Sequence, residues 1–108
     1  MEDEQTRIKV EYGSEFTIVT FNDENILNEE QIRELQESLE PIIEKNKDKQ
    51  MVMNFANVRF MTSAMLGLLI RVHKRITEHG GQLRLCNLEP SLRKVFEITQ
   101  LTKVFDIS

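Results

Sequence analysis

Cysteine is nearly absent from this chain, because Cys86 is the only one among its 108 residues. A single cysteine cannot form an internal disulfide, so packing alone must hold the fold, as is usual in a reducing compartment. No apolar run approaches the roughly 20 residues that a membrane-spanning helix needs. The chain begins with Met1 and the acidic residues Glu2, Asp3 and Glu4, where a signal peptide would carry positive charge. We therefore expect a cytoplasmic protein without a membrane segment.

An excess of basic charge is absent as well, since 18 acidic residues outnumber 14 Lys and Arg. The formal net charge is -4, and no dense stripe of Lys and Arg interrupts the sequence, so direct binding to nucleic acid has no electrostatic support. A composition of 40% hydrophobic and 30% charged residues in 108 positions fits one compact domain with one core. We expect that domain to cover residues 1–108, with a short polar tail at residues 1 to 6.

Motifs for cofactors and metals are missing too. The four glycines match neither the dinucleotide fingerprint nor the phosphate-binding loop. His73 and His79 are six residues apart, so they do not share a helix face, and no second cysteine completes a ligand set. The sequence therefore predicts no cofactor and no metal. A Ser63, His73 and Asp106 trio could be nominated for hydrolysis, but Ser63 does not stand in a nucleophile-elbow sequence.

The apolar pattern that is present predicts an α/β domain. Residues 8–12 and 16–21 alternate as two strands of a hairpin, and the nearly unbroken apolar run 51–55 is typical of a central strand covered on both faces. Two strand-helix-strand passages follow from the order of the patterns, so the later strands should be parallel. We expect a mixed, mostly parallel sheet of four to five strands packed with helices.

Two features define the first helix. Asn28 and Gln31 have the spacing of a capping box, so the helix should start directly after Asn28. Pro41 lies within its apolar repeat and lacks an N–H group, so we expect a kink or a break near residues 37 to 40.

The order of several short segments also resembles a known family, the STAS domains of the anti-sigma-factor-antagonist kind, from about residue 14 to 107. The segments that carry the resemblance are Phe60-Met61-Thr62-Ser63-Ala64-Met65-Leu66-Gly67, Gly80-Gly81-Gln82-Leu83, Val95-Phe96-Glu97-Ile98-Thr99-Gln100-Leu101 and Val104-Phe105-Asp106-Ile107. The resemblance implies a single STAS-like α/β domain that binds proteins without catalysing a reaction. It also implies partner switching in transcription or stress signalling.

One motif departs from the family at its regulatory position. Residues 62 to 67 read Thr-Ser-Ala-Met-Leu-Gly where the family usually reads Asp-Ser-Ser/Thr-Gly-Leu-Gly. In the family the second hydroxyl residue is phosphorylated by the anti-sigma factor acting as a kinase, and here that position is Ala64. Ser63, and after it Thr62, become the candidate phospho-acceptors. Either residue could instead cap the helix that starts there, a role worth about 1 kcal/mol.

The resemblance also indicates where a partner binds. It implies that Phe60, Met61 and Ala64 border the surface that meets an anti-sigma factor or a related regulatory kinase or phosphatase. The sequence leaves three alternatives open: a STAS scaffold, a ligand-sensing module without a phosphorylation switch, and an enzyme with Ser63 as nucleophile. It also leaves open whether the protein forms a homo-oligomer.

Overall fold

The computed structural model describes residues 7–46 and 48–108 in full and the backbone of residues 2–4. The polar tail predicted for residues 1 to 6 is described only at Glu2–Glu4, which forms a strand; the rest of it, like residue 47, lies outside the described residues. In chain order the elements are β1 (Glu2–Glu4), β2 (Ile8–Tyr12), β3 (Phe16–Phe21), β4 (Asn25–Ile26), α1 (Glu29–Lys45), β5 (Gln50–Asn54), β6 (Phe60–Met61), α2 (Ser63–Glu78), β7 (Gln82–Cys86), α3 (Pro90–Ile98), a short 3₁₀ helix (Leu101–Lys103) and β8 (Asp106–Ile107).

Six strands form one mixed sheet in the order β1-β2-β3-β5-β7-β8, and β4 pairs separately with β6. The strands β1, β2 and β3 are antiparallel neighbours, whereas β3, β5, β7 and β8 run parallel. The predicted hairpin, the parallel later strands and the central place of residues 51–55 are confirmed. The sheet has six strands where four to five were expected, because the short edge strands β1 and β8 extend the four longer ones.

The helices cover one face of this sheet. Val19, Met53 and Leu85 are in register on neighbouring strands and fully buried, and the buried residues of all three helices join them in one core cluster. On the opposite face no residue of β2, β3, β5, β7 or β8 is buried. The expectation that residues 51–55 are covered on both faces is therefore wrong, since Val52 faces the open side and is only half-buried.

The first helix starts as predicted. The Asn28 side chain accepts from the Gln31 N–H at 2.9 Å, and the Gln31 side chain accepts from the Asn28 N–H at 3.2 Å. Of the kink or break expected near residues 37 to 40, the break is wrong, because α1 runs continuously from Glu29 to Lys45. Pro41 itself is exposed, so its ring points away from the core. The residues Leu39, Ile42 and Ile43 on both sides of it are buried and hold the helix against the sheet.

The end of α2 also follows the sequence pattern. The helix stops at Glu78, and Gly80 takes a positive φ of 82°, a conformation that glycine adopts without strain. A Cβ on the next residue, Gly81, would come within 2.7 Å of the Lys49 carbonyl oxygen. The glycine pair therefore lets the chain turn back closely into β7.

Candidate functional site

The segment between β5 and α2 is the junction that the sequence marked as functional. Val58 is buried and anchors the segment on the core. The two residues of β6 then pair in parallel with β4, which precedes α1. The N–H groups of Arg59 and Phe60 both donate to the Glu24 carbonyl oxygen, at 2.7 and 3.2 Å. The junction is thus held by backbone hydrogen bonds against the start of α1.

The register of β4 and β6 decides which side chains face outward. Ile26 lies opposite Met61 and points inward, with Ile26 fully buried and Met61 half-buried against the core. Phe60, on the other side of β6, is 61% exposed, and Leu27, directly after β4, is 56% exposed. Alternation along an extended chain puts Leu27 and Phe60 on the same outer side. These two residues are called the outer patch below.

The predicted partner-binding residues are therefore placed differently from one another. Phe60 and Ala64 are exposed, whereas Met61 packs mainly against the core. Leu27 was missed by the sequence reasoning. It directly precedes the N-cap Asn28, where an apolar residue usually packs on the first turn of its own helix, so its pattern indicated structure and not a binding surface.

The first turn of α2 is exposed and lacks a side-chain cap. Thr62 is the N-cap residue, but its side chain makes no capping hydrogen bond, and its Oγ1 is buried without a partner among the described residues. Its carbonyl oxygen accepts from the N–H groups of Met65 and Leu66 at 3.0 and 3.4 Å. Ser63 and Ala64 are exposed, and the first turn carries no acidic side chain. The positive end of the helix dipole thus reaches the surface without an acidic side chain in the helix's own first turn.

Neither candidate hydroxyl acts as the cap that the sequence left open for it. Thr62 stands at the N-cap position without the bond, and Ser63 is already the first residue inside the helix. The two hydroxyl groups also differ in access, since the Thr62 Oγ1 is buried and Ser63 is an exposed residue.

The trio of Ser63, His73 and Asp106 does not form a catalytic set. Ser63 and His73 are ten residues apart on α2, which corresponds to about 15 Å along a helix. The Asp106 carboxylate instead accepts from Arg84 at 3.1 Å, and the His73 ring packs edge-on against Phe105 at 5.3 Å. Within residues 7–46 and 48–108, no acidic or basic side chain bonds the Ser63 hydroxyl, so those residues supply it with no general base.

The surface of the described residues carries depressions that a ligand could enter. A surface depression of about 270 Å³ is lined by His73, Thr77, Gln82, Leu83, Val104 and Asp106. A second depression, of about 300 Å³, is lined by Ala56, Val58, Arg59, Asn87 and Glu89. Neither has the predominantly apolar lining typical of small-molecule pockets. No group of three or more His, Cys, Asp or Glu side chains is placed to hold a metal among the described residues.

The lone cysteine lies outside the junction. Cys86 ends β7 and is half-buried, and burial raises the pKa of its thiol above the usual value. A raised pKa lowers the thiolate fraction near neutral pH, which makes the group a poor nucleophile.

In the described part of the chain, every helix falls short of the length and apolar character that crossing a membrane would require.

An α/β domain with an exposed apolar patch beside an uncapped helix N-terminus has the features of a protein-binding domain. The chain belongs to the STAS domain family, whose model matches residues 7–108. It is 35% identical over 74 residues to the anti-sigma-B factor antagonist of Bacillus subtilis (strain 168), a match that covers 68% of this chain and 66% of that protein. The chain thus spans slightly less than two thirds of that relative's length.

Solved structures show the same fold. The anti-sigma-factor antagonist (STAS) domain protein from Planctomyces limnophilus superposes with a TM-score of 0.80 at 21% identity, covering 93% of this chain and 87% of that one. The phosphorylated form of the Bacillus cell fate determinant SpoIIAA superposes with a TM-score of 0.70 at 19% identity, covering 94% of this chain and 90% of that one. At these identities the two structures bear on the fold alone.

Proposed function

We propose that this protein is an anti-sigma factor antagonist that acts by partner switching in the cytoplasm, without catalysing a reaction. Its partner is an anti-sigma factor or a related regulatory kinase. The observation that carries the proposal is the outer patch, Leu27 and Phe60, lying beside the exposed and uncapped first turn of α2. Membership of the STAS family and the name of the Bacillus subtilis relative support it.

The outer patch supplies the apolar anchor of the docking surface. An exposed phenylalanine leaves apolar surface in contact with water, and a pocket on the partner would remove that surface from water. Aromatic residues are also enriched among the residues that dominate binding energy. Ala64 continues the surface onto α2, because it is exposed one residue beyond Ser63. Met61 supports the docking surface indirectly, because its packing on the core holds β6 in place.

Polar groups frame this surface. Arg59 and Glu24 form an exposed ion pair at 3.4 Å next to Phe60. Charged groups at the rim of an interface influence the choice of partner and the association rate more than the affinity. The docking surface therefore has the usual arrangement of an apolar centre and a charged rim.

Ser63 is the residue that a partner kinase would modify. It is exposed at the first position of α2, where free N–H groups and the helix dipole favour a phosphate. Thr62 is the lesser candidate, because a kinase would have to expose its buried Oγ1 first. A phosphate adds a charge of about -1.5 to -2. Placed beside the outer patch, that charge would release the partner, and a phosphatase would restore binding.

The test begins with identification of the partner by mass spectrometry of proteins that co-purify with this one. Titration calorimetry then compares Phe60→Ala with Ile98→Ala. Ile98 is the control, because it is a highly exposed apolar residue at the end of α3, outside the junction and off the sheet. We expect Phe60→Ala to weaken binding by about tenfold or more, as for an interface anchor, and Ile98→Ala to leave it unchanged. Equal effects of the two substitutions would refute the docking surface.

The same co-purification and a phosphorylation experiment distinguish two other functions. If a partner binds through the outer patch but incubation with it and ATP gives no phosphate, the protein is an unswitched STAS scaffold. If small molecules and not proteins co-purify, it is a ligand-sensing module, and the two surface depressions become the candidate sites.

A further inference from the structure

The sheet face turned away from the helices is open. Ile18, Val52 and Arg84 point to this side, and none of them is buried. Their neighbours along each strand, such as Val19 and Met53, point to the helices and are fully buried. Within the described residues, the chain therefore covers one face of its sheet and leaves the other one to solvent.

The centre of the open face is apolar. Ile18 on β3 is in register with Val52 on β5, and Phe16, at the start of β3, is 44% exposed. The unbroken apolar run Met51-Val52-Met53 is typical of a strand that is covered on both faces. An apolar centre of this kind on an otherwise polar surface indicates a site of association.

Charged side chains of opposite sign flank this centre. One row of paired residues crosses the face from β2 to β8, and its order is Glu11, Ile18, Val52, Arg84, Asp106. The apolar pair is therefore bordered by an acid on the β2 side and by a base on the β7 side. Polar residues follow in the next row, where Thr20 is in register with Asn54.

The four residues of this row from Glu11 to Arg84 are complementary to themselves. A two-fold axis that lies between two facing sheets and runs along the strands reverses the row in the second copy. Glu11 then lies opposite Arg84 of the second copy, and Ile18 lies opposite its Val52. The reverse contacts form at the same time, which is the requirement of an isologous interface. Facing sheets pack about 10 Å apart, a gap that Glu and Arg side chains can bridge together.

We propose that the open sheet face is a dimerisation surface for a second copy of this chain, with Ile18 and Val52 at its centre and Glu11 and Arg84 as the pairing charges. The proposal goes beyond partner binding at the junction, which lies on a different surface. Glu11 and Arg84 already have ion-pair partners within the chain, Lys9 at 3.9 Å and Asp106 at 3.1 Å. Exposed pairs of this kind are weak, so the cross-dimer charges join existing pairs at little cost.

The size of the face predicts a weak dimer. Four strands of five residues cover about 20 by 17 Å, from the usual strand spacing and rise. Counted on both copies, about 700 Å² is below the roughly 1,200 Å² of standard interfaces, so association through this face should be weak and transient. We expect dissociation constants on the order of 100 μM, so that dimers form only in concentrated solution.

Sedimentation velocity of the full chain, between about 10 μM and 1 mM so as to bracket a weak interface, tests the proposal. We expect the weight-average mass to rise from monomer towards dimer across this range. Glu11→Arg and Arg84→Glu should each raise the dissociation constant about tenfold, because each brings like charges together. The double variant Glu11→Arg/Arg84→Glu should return it close to the original value.

A third variant and a control complete the design. Val52→Lys places a charge at the centre and should abolish the dimer, and its melting temperature shows whether it remains folded. Arg33→Glu on α1 is the control for a charge change elsewhere and should leave the dimer unchanged. A monomer at every concentration overturns the proposal. So does a dimer whose stability is unaffected by either single charge reversal, or one that the double reversal does not restore.

Discussion

Arg75 on α2 donates a hydrogen bond to the carboxylate of Glu40 on α1, the residue directly before Pro41. Its second terminal nitrogen, Nη2, bonds Glu44 at 2.9 Å, on the other side of the proline. These acids, Glu40 first, raise the pKa of Arg75 above its already high usual value. One cation thus joins the two halves of α1 to α2, at the point where the helix lacks a backbone hydrogen bond.

Arg75→Met should therefore destabilise the contact between α1 and α2. All three side chains are partly exposed, at 33%, 45% and 52%, so we expect a loss of about 1 kcal/mol at most. Urea denaturation measures this change. Arg33→Met is the matched control, because Arg33 pairs with Glu30 and Glu37 inside α1 alone and is more exposed. A smaller loss for Arg75→Met than for Arg33→Met would contradict the role given to this cation.

Pro41→Ala should stabilise the protein. The substitution restores an N–H donor inside a continuous helix and removes the clash with the preceding turn, while the greater freedom of the unfolded chain offsets part of the gain. We expect a net increase of about 2 kcal/mol in the free energy of unfolding. Gln36→Ala, at an exposed position of the same helix, should change it little. A Pro41→Ala variant no more stable than the original would show that the helix has already adapted to the ring.

Thr62→Val should also stabilise the protein, by about 1 kcal/mol. The two side chains have nearly the same shape, and valine removes a hydroxyl that is buried without a partner among the described residues. Thr62→Ser keeps the hydroxyl and should give no such gain. Thermal unfolding followed by circular dichroism compares the three proteins. If Thr62→Val instead lowers the melting temperature, the hydroxyl has a bonding partner in solution.

The variants Ser63→Ala and Ser63→Glu test whether Ser63 acts as a phosphorylation switch or as a helix cap. Because Ser63 lies inside α2 and is not its N-cap, we expect Ser63→Ala to leave stability within about 0.5 kcal/mol. Ser63→Glu places negative charge beside the outer patch and should weaken partner binding more than Ser63→Ala does. Phosphopeptide mapping after incubation with the co-purified kinase and ATP should locate the phosphate on Ser63. A phosphate found only at a distant residue would rule out this switch.

Met61→Asp and Phe60→Asp should differ in stability. The Met61 side chain packs against the core, so a carboxylate there is forced into apolar surroundings and should cost about 2 kcal/mol or more. Phe60 is exposed, so aspartate at that position should change stability by less than about 1 kcal/mol. Melting curves of the two variants measure this difference in stability. Equal losses would mean that Phe60 is also packed in solution.

The sequence by itself determined the elements whose causes are local. The capping box at Asn28 needs residues only three positions apart, and the glycines after α2 act through their own backbone, so both could be read from the chain. The order of the apolar patterns along the chain also predicted the order of strands and helices. The break expected as one alternative near residues 37 to 40 does not occur, because the contacts of Leu39, Ile42, Ile43 and Arg75 come from the tertiary fold and outweigh a local preference.

Only the tertiary structure decided which apolar residues face water. Met51, Val52 and Met53 are alike in sequence, yet the one-sided placement of the helices buries the two methionines and leaves Val52 on the open face. In the same way, the pairing of β4 with β6 turns Met61 inward and Phe60 outward, and Leu27, directly after β4, is exposed as well. Periodicity predicts that neighbouring side chains alternate between two faces, but which face is covered depends on chain segments far away in sequence.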